Sequence, residues 1–286
     1  MSLDRRLNAH REDLADIRLK GTVNAARYAA GRPARIATPV EPCLRRPAAD
    51  APLDTEFLLG EPVTVFDEEN GFAWVQSGDD GYVGYVATTA LAPMGPEPTH
   101  RICVPLALVY AAPSIKVPVL LRVPLGARLA LGPQQSVGGE RFHPVAGGGY
   151  ILAQHVGPLA PAGGDYVSLA ERFLGTPYLF GGKSWLGIDC SALVQLSLQS
   201  VGQPAPRDSD MQEDRLGSPL PIDPAAALIR GDLVFWKGHV GIMVDGTTLL
   251  HANGHHMTTA AEPLADTLAR LTALGLPPTA MRRPRV

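Results

Sequence analysis

The sequence predicts an α+β chain in which two small β-barrels precede a domain of helices packed on an antiparallel sheet. Three observations lead there. Short β runs separated by tight turns fill residues 36–95 and recur, more weakly, in 100–160. A Gly- and Pro-rich stretch from Gly157-Pro158 to Gly163-Gly164 reads as a linker. Beyond it, apolar residues at helical spacing give way to a hairpin pattern.

At 286 residues the chain exceeds one small domain. With 45% hydrophobic and 19% charged residues it can bury a core and is not a disordered chain. A net charge of -3 and a pI near 6.2 carry no basic surplus for nucleic acid. The three cysteines, Cys43, Cys103 and Cys190, are too few and too far apart for a disulfide framework or a paired-cysteine zinc site. They suit a reducing compartment. The first residues, MSLDRRLNAHREDLADIRLKGT, lack the apolar core of a secretory signal, and no stretch is long and apolar enough to span a membrane. The expectation is a cytoplasmic protein with no membrane or nucleic-acid partner, no metal and no cofactor. The oligomeric state is not legible.

Residues 1–35 read as an extension with helical pieces: Ala25, Ala26, Ala29 and Ala30 favour helix, and Gly31-Arg32-Pro33 ends it. It is expected to pack on a neighbouring domain as a structural arm. In the first barrel, Val63-Thr64-Val65-Phe66, Ala73-Trp74-Val75-Gln76 and Tyr82-Val83-Gly84-Tyr85-Val86 are the strand runs, with turns at Glu69-Asn70-Gly71 and Gly78-Asp79-Asp80-Gly81. In the second, Val119-Leu120-Leu121 echoes Phe57-Leu58-Leu59, and Gly149-Tyr150-Ile151 echoes Gly81-Tyr82-Val83. The Leu59-Gly60-Glu61 step, the Trp74-Val75 strand and the run from Asp80 to Val86 resemble bacterial SH3-like (SH3b) domains.

The last domain, residues 165–286, opens on a helix with apolar residues at 166, 169, 170, 173 and 174. A Gly-rich loop, Phe180-Gly181-Gly182-Lys183, leads to Asp189-Cys190, and a second helix runs from Ser191 to Val201. A hairpin follows, with strands Asp232–Trp236, Val240–Val244 and Thr248–His251.

Cys190 at a helix start is a candidate nucleophile. The macrodipole favours a thiolate there, and the free first-turn N–H groups suit a developing oxyanion. A small buried hydrophobe is the other reading of that residue. His239 and His251 are the candidate base and orienting residue. A two-residue turn at Asp245-Gly246 would put them on opposite strand faces. A three-residue loop with a bulge at Gly246 would set Val244 opposite Thr248, with His239 expected opposite His251.

In order, Thr176-Pro177-Tyr178, Gly181-Gly182, Asp189-Cys190-Ser191, Gly231-Asp232-Leu233-Val234-Phe235-Trp236, His239-Val240-Gly241-Ile242 and Leu250-His251-Ala252 resemble the NlpC/P60 family of cysteine peptidases, in members with two N-terminal SH3b domains. The resemblance implies a papain-like fold, with Cys190 as nucleophile, His239 as base and His251 as third residue. It implies cleavage of the γ-D-glutamyl–diamino acid bond in murein tripeptides or tetrapeptides with a free N-terminal L-Ala, in cell-wall recycling. Tyr178, Asp189, Ser191 and Ser209 would lie on the substrate side. Asp189 reads equally as a helix N-cap, and Ser209 as a local turn cap. Tyr82 and either Glu56 or Asp54 would be first-barrel contacts, with a core position the other reading of Tyr82. Where the family has Asp-Cys-Ser-Gly, this chain has Ala192. Two other functions compete: an amidase or acyltransferase on the same fold, and a non-catalytic wall-fragment binder, which would have no need of Cys190, His239 and His251 together.

Overall fold

A computed structural model describes residues 3–160, 163–222 and 227–285. The chain forms two compact units, Met1–Leu159 and Ala160–Val286.

The N-terminal arm of the first unit departs from expectation. Its alanines form no α-helix. A single 3-10 turn, Ile17–Leu19, follows β1 (Leu14–Asp16), and β1 pairs in parallel with β2 (Arg27–Ala29). The alanine pairs are split by Arg27-Tyr28, too few for a helix without tertiary support. Packing decides instead: Ala9 and Leu14 cluster with Phe66 and Trp74, and the Arg11 guanidinium lies 4.5 Å from the centre of the Trp74 ring. The arm therefore does brace the neighbouring barrel.

That barrel is one sheet of β3 (Arg32–Ile36), β4 (Val40–Leu44), β5 (Leu53–Leu58), β6 (Pro62–Glu69), β7 (Phe72–Ser77), β8 (Val83–Ala87) and β9 (Leu91–Ala92), in the order β5-β4-β8-β7-β6-β3-β9. It begins at Arg32, inside the stretch expected to be extension, because Gly31 in the left-handed region (φ 72) turns the chain into β3. Alternate residues Val63 and Val65, Ala73 and Val75, and Ala34 and Ile36 point into one core with Cys43, Phe57 and Tyr82.

The next stretch repeats this pairing. β10 (His100–Ile102), β11 (Leu106–Tyr110), β12 (Val119–Pro124), β13 (Arg128–Leu129), β14 (Gln135–Val137), β15 (Glu140–Pro144), β16 (Tyr150–Leu152) and β17 (Val156–Pro158) form sheets ordered β12-β11-β16-β15-β14 and β13-β10-β17. Laid end to end, the two orders reproduce the first barrel, with the counterpart of β6 broken into β13 and β14. Gly132-Pro133 lies at the break, where Pro lacks a ladder N–H. A 3-10 turn precedes the last strand in both modules, Thr88–Ala90 and Ala153–His155.

The second unit begins with α1 (Tyr166–Ala170), whose Asp165 N-cap accepts the Val167 N–H at 3.0 Å; a 3-10 turn, Glu171–Phe173, extends it. A two-strand ribbon, β18 (Lys183–Ser184) and β19 (Gly187–Ile188), leads into α2 (Cys190–Ser200), and α3 (Ser209–Arg215) follows. The main sheet is β20 (Ser218–Leu220), β21 (Leu233–Trp236), β22 (His239–Met243), β23 (Thr248–Asn253), β24 (Thr258–Pro263) and β25 (Pro278–Arg283), with α4 (Leu264–Ala273) between the last two strands. It runs β20-β25-β21-β22-β23-β24 with every pairing antiparallel. Helix α2 packs on β22 and β23, and its residues from Cys190 to Leu198 are all buried. The fold is α+β as expected, with helices carrying Cys190 against a sheet carrying the histidines. Among the described residues no helix is long and apolar enough to cross a membrane.

Close packing makes one prediction for the first barrel. A Cβ at Gly84 would lie 2.3 Å from Cys43 Sγ and 3.2 Å from the Leu44 carbonyl. Gly84→Ala is expected to cost about 1–3 kcal/mol by overpacking, read as a lower urea midpoint for the first unit. An unchanged midpoint contradicts this packing.

Candidate active site

Cys190 is the first residue of α2 and is 6% exposed. The preceding Asp189 is the helix N-cap, its Oδ1 accepting the Ala192 N–H at 2.7 Å. The same carboxylate accepts the Gly181 N–H at 3.0 Å and the Ser191 hydroxyl at 3.1 Å. Arg207, 1% exposed, closes the group: Nη1 and Nη2 donate to the two Asp189 oxygens at 3.0 and 2.7 Å, and Nη1 also reaches Ser191 Oγ at 2.9 Å. This bidentate pair holds the Gly-rich loop, the helix that starts at Cys190 and the segment before α3 together. Gln212 of α3 adds a donor to the Ser191 carbonyl at 2.8 Å.

The candidate base comes from the sheet. Lys237-Gly238 turns β21 into β22, with Gly238 in the left-handed region (φ 74), so His239 starts β22 opposite Trp236. The rings of Trp236 and His239 lie 5.7 Å apart. The next loop has three residues, with the Val244 N–H donating to the Thr248 carbonyl, so the expected odd count is found. Two details differ. Gly246 is not left-handed and no bulge forms; the Asp245 carboxylate accepts from the Thr247 and Thr248 N–H groups and shapes the turn itself. The register pairs Ile242 with Leu250 and Met243 with Leu249. Continued, it sets His251 opposite Gly241 rather than His239. The histidines are diagonal neighbours on one face, and a diagonal suffices: His239 Nε2 and His251 Nδ1 are 2.8 Å apart.

Beyond His251 the chain of contacts continues. Its Nε2 lies 2.8 Å from Glu262 Oε1 on β24, and Arg270 of α4 donates to Glu262 Oε2 at 3.0 Å. Neither residue stands out in the sequence, since a Glu in a strand and an Arg in an amphipathic helix are ordinary surface residues.

Burial pushes the site toward uncharged forms. The Cys190 thiol is raised to about 12, first by burial and then by the Asp189 charge; the N–H groups of Val240 and Ser191 and the charge of Arg207 act the other way. The Val240 contact places the sulfur beside the residue that follows His239. Burial, then the charges of His251 and Arg270, lowers His239 to about 3, and burial lowers His251 to about 4 against the pull of Glu262. Burial works to raise Glu262, but hydrogen bonds from Arg270 and His251 help bring it down to about 2.

The remaining candidate residues are placed as follows. Tyr178 is half-buried; burial, then the nearby charges of Cys190 and Asp189, raises its hydroxyl to about 12. Ser191 is committed to Asp189 and Arg207. Ser209 is the first residue of α3, and Asp208, not Ser209, is the cap residue. Tyr82 lies in the first barrel's core, 3% exposed, and Glu56 is buried on β5. Asp54 pairs with Arg45 at 2.6 Å. His251, His256 and Glu262 bring ligand atoms within 4.8 Å of one another, but a cation there would meet the Arg270 guanidinium already on Glu262.

A family model described as NlpC/P60 family matches residues 175–268, and one described as bacterial dipeptidyl-peptidase Sh3 domain matches residues 43–91. The chain carries an NlpC/P60 domain behind a bacterial SH3 domain. Two curated relatives named gamma-D-glutamyl-L-lysine dipeptidyl-peptidase are similar along most of its length. The protein from Bacillus cereus is 29% identical over 231 residues, 70% of this chain and 67% of that one. The protein from Bacillus subtilis is 29% identical over 228 residues, 71% and 73% of the two chains. Dipeptidyl-peptidase 6 of Lysinibacillus sphaericus is 36% identical over 89 residues, 31% of this chain and 32% of that one. The crystal structure of an NlpC/P60 family protein from Bacillus cereus shares the fold, with a TM-score of 0.74 at 22% identity over 88% of this chain and 99% of that one. The enzyme class follows: this is a cysteine peptidase.

Two predictions arise from the NlpC/P60 domain. Arg207→Met strands the buried Asp189 charge and is expected to cost about 3–5 kcal/mol, while Asp189→Asn with Arg207→Met costs less. Equal losses in calorimetry would contradict the coupling. The second concerns pH. As a general base His239 would accept a proton only as the neutral imidazole, and its lowered pKa keeps it neutral as pH falls through the ordinary histidine value of 6.5. The free-enzyme kcat/KM is expected to stay level down to about pH 5, and an acid limb at the ordinary histidine value would contradict it.

Proposed function

We propose that this peptidase hydrolyses the γ-D-glutamyl–diamino acid bond of murein tripeptides or tetrapeptides bearing a free N-terminal L-Ala, in the recycling of wall fragments in the cytoplasm. One observation carries the reading: a helix-start thiol, Cys190, lies beside the strand of a hydrogen-bonded histidine pair, in a chain similar over about 70% of its length to two proteins named for γ-D-glutamyl-L-lysine dipeptidyl-peptidase activity.

Cys190 Sγ attacks the γ-carbonyl carbon and its proton passes to His239. With Nε2 turned to His251, Nδ1 is the ring nitrogen left for that proton. The first-turn N–H groups of α2 stabilise the oxyanion. His239 returns the proton to the departing amine of the diamino acid, leaving a thioester on Cys190. Water, deprotonated by His239, then cleaves the thioester and restores the thiol. Tyr178 and Ser209 line the substrate side, while Asp189 and Ser191, held by Arg207, keep the nucleophile's helix in place. The two β-modules are both read as SH3-like, the second on its repeated strand order. No disulfide links Cys43, Cys103 and Cys190, which suits a reducing compartment.

Incubation with L-Ala-γ-D-Glu-L-Lys and with its diaminopimelate counterpart tests the reading by mass spectrometry. The expected products are L-Ala-γ-D-Glu and the free diamino acid. Cys190→Ala is expected to lower kcat by at least about 1000-fold, and N-acetylation of the substrate to weaken turnover. Release of L-Ala alone would move the scissile bond, and full activity of Cys190→Ala would remove the nucleophile.

A further inference from the structure

Glu262 ends the hydrogen-bonded chain that starts at the base. Its Oε1 lies 2.8 Å from His251 Nε2, and His251 Nδ1 lies 2.8 Å from His239 Nε2. Both carboxylate oxygens are engaged by one guanidinium, with Arg270 Nη1 on Oε2 at 3.0 Å and Nη2 on Oε1 at 2.5 Å. The Glu262 side chain is 12% exposed and that of Arg270 22%. The sheet dictates the approach: β24 pairs Glu262 with Leu249 and Ala260 with His251, so Glu262 is a diagonal neighbour of His251 on the same face. Helix α4 starts two residues later and returns Arg270 over it.

We propose that Glu262, clamped by Arg270, is a positioning residue that sets the tautomers of both active-site histidines and leaves Nδ1 of His239 bare for the thiol proton. The inference rests on the peptidase reading of Cys190 and His239. A carboxylate facing a guanidinium with both oxygens is an acceptor only. Its partner, His251 Nε2, must then carry a hydrogen. Burial keeps His251 neutral, so its Nδ1 has none and must accept. The atom that donates to it is His239 Nε2. His239 is neutral as well, so its remaining nitrogen, Nδ1, is a free lone pair. Each hydrogen bond fixes the next, and the direction of the series is decided at Glu262. A donor in place of that carboxylate would run the series backwards and put a hydrogen on Nδ1 of His239, where it could accept nothing from Cys190. The third residue of other Cys–His and Ser–His sites holds a tautomer in the same way, one step from the base. Here the anion stands two steps away and acts through an imidazole.

The test uses the full chain with 15N-labelled histidine rings, assigned with His239→Gln and His251→Asn. In the unsubstituted protein both rings are expected to carry their proton on Nε2. Glu262→Leu is expected to leave His251 as a mixture of tautomers, to lower kcat by about 10- to 100-fold with KM little changed, and to slow iodoacetamide alkylation of Cys190. Glu262→Gln, which keeps an acceptor oxygen, is expected to keep the Nε2 protons and most of the activity. A proton on Nδ1 of either ring in the unsubstituted protein overturns the proposal. So does a Glu262→Leu protein that loses activity with both tautomers unchanged. Should Glu262→Leu not fold, the unsubstituted spectrum and Glu262→Gln decide. The ring signals and the alkylation rate involve no peptide: if they behave as expected while murein peptides are not cut, the substrate assignment fails and the relay stands.

Discussion

The ion pair between Asp189 and Arg207 is the constraint on which the rest of the site depends. One buried carboxylate caps the helix that starts at Cys190, fastens the Gly-rich loop through the Gly181 N–H, and binds the guanidinium of the segment leading to α3. A carboxylate beside a nucleophilic thiol is an electrostatic problem, since its charge opposes the thiolate. Arg207 offsets that charge where it stands, so the cap is kept without a bare anion next to the sulfur. The pair also explains why Ser191 is held so tightly: its hydroxyl bridges the carboxylate and the guanidinium of the same cluster.

The opposing half of the site is made by strand register. His239 and His251 reach each other because a three-residue loop keeps both on one face, and Glu262 reaches His251 because β24 continues the same diagonal. Desolvation keeps the resting pair uncharged, with the thiol raised and the imidazole lowered. Charge therefore develops during the reaction, where the start of α2 and the anion of Glu262 favour it. A buried relay of this kind is only as good as its last partner, and Arg270 supplies that partner from α4.

Much of this arrangement was legible in the sequence because it is local. Asp189-Cys190 before an apolar helical run, and two histidines in adjacent β runs joined by Asp245-Gly246, are short-range signals. The odd loop could be deduced, since an even one would separate the histidines. The register, Val244 opposite Thr248, was legible too; the turn that sets it was not, because Asp245 shapes it by turning its carboxylate back on Thr247 and Thr248 rather than through a bulge at Gly246. Arg207 does not show in the sequence as a fully buried cation, because burial of an Arg depends on a partner eighteen residues away. Glu262 and Arg270 lay beyond reach for the same reason. In the arm, helix propensity gave way to packing against Trp74 and Phe66. The second module was harder to read than the first because Gly132-Pro133 interrupts the strand that its counterpart keeps whole.

The central claim is that Cys190 carries the acyl group between two proton transfers by His239. Acid quenching during turnover of L-Ala-γ-D-Glu-L-Lys, followed by peptide mass mapping, reads this directly. The account predicts an L-alanyl-γ-D-glutamyl adduct on the peptide containing Cys190 and none on those containing Cys43 or Cys103. Turnover with no adduct on Cys190, or with the acyl group on another residue, would contradict it.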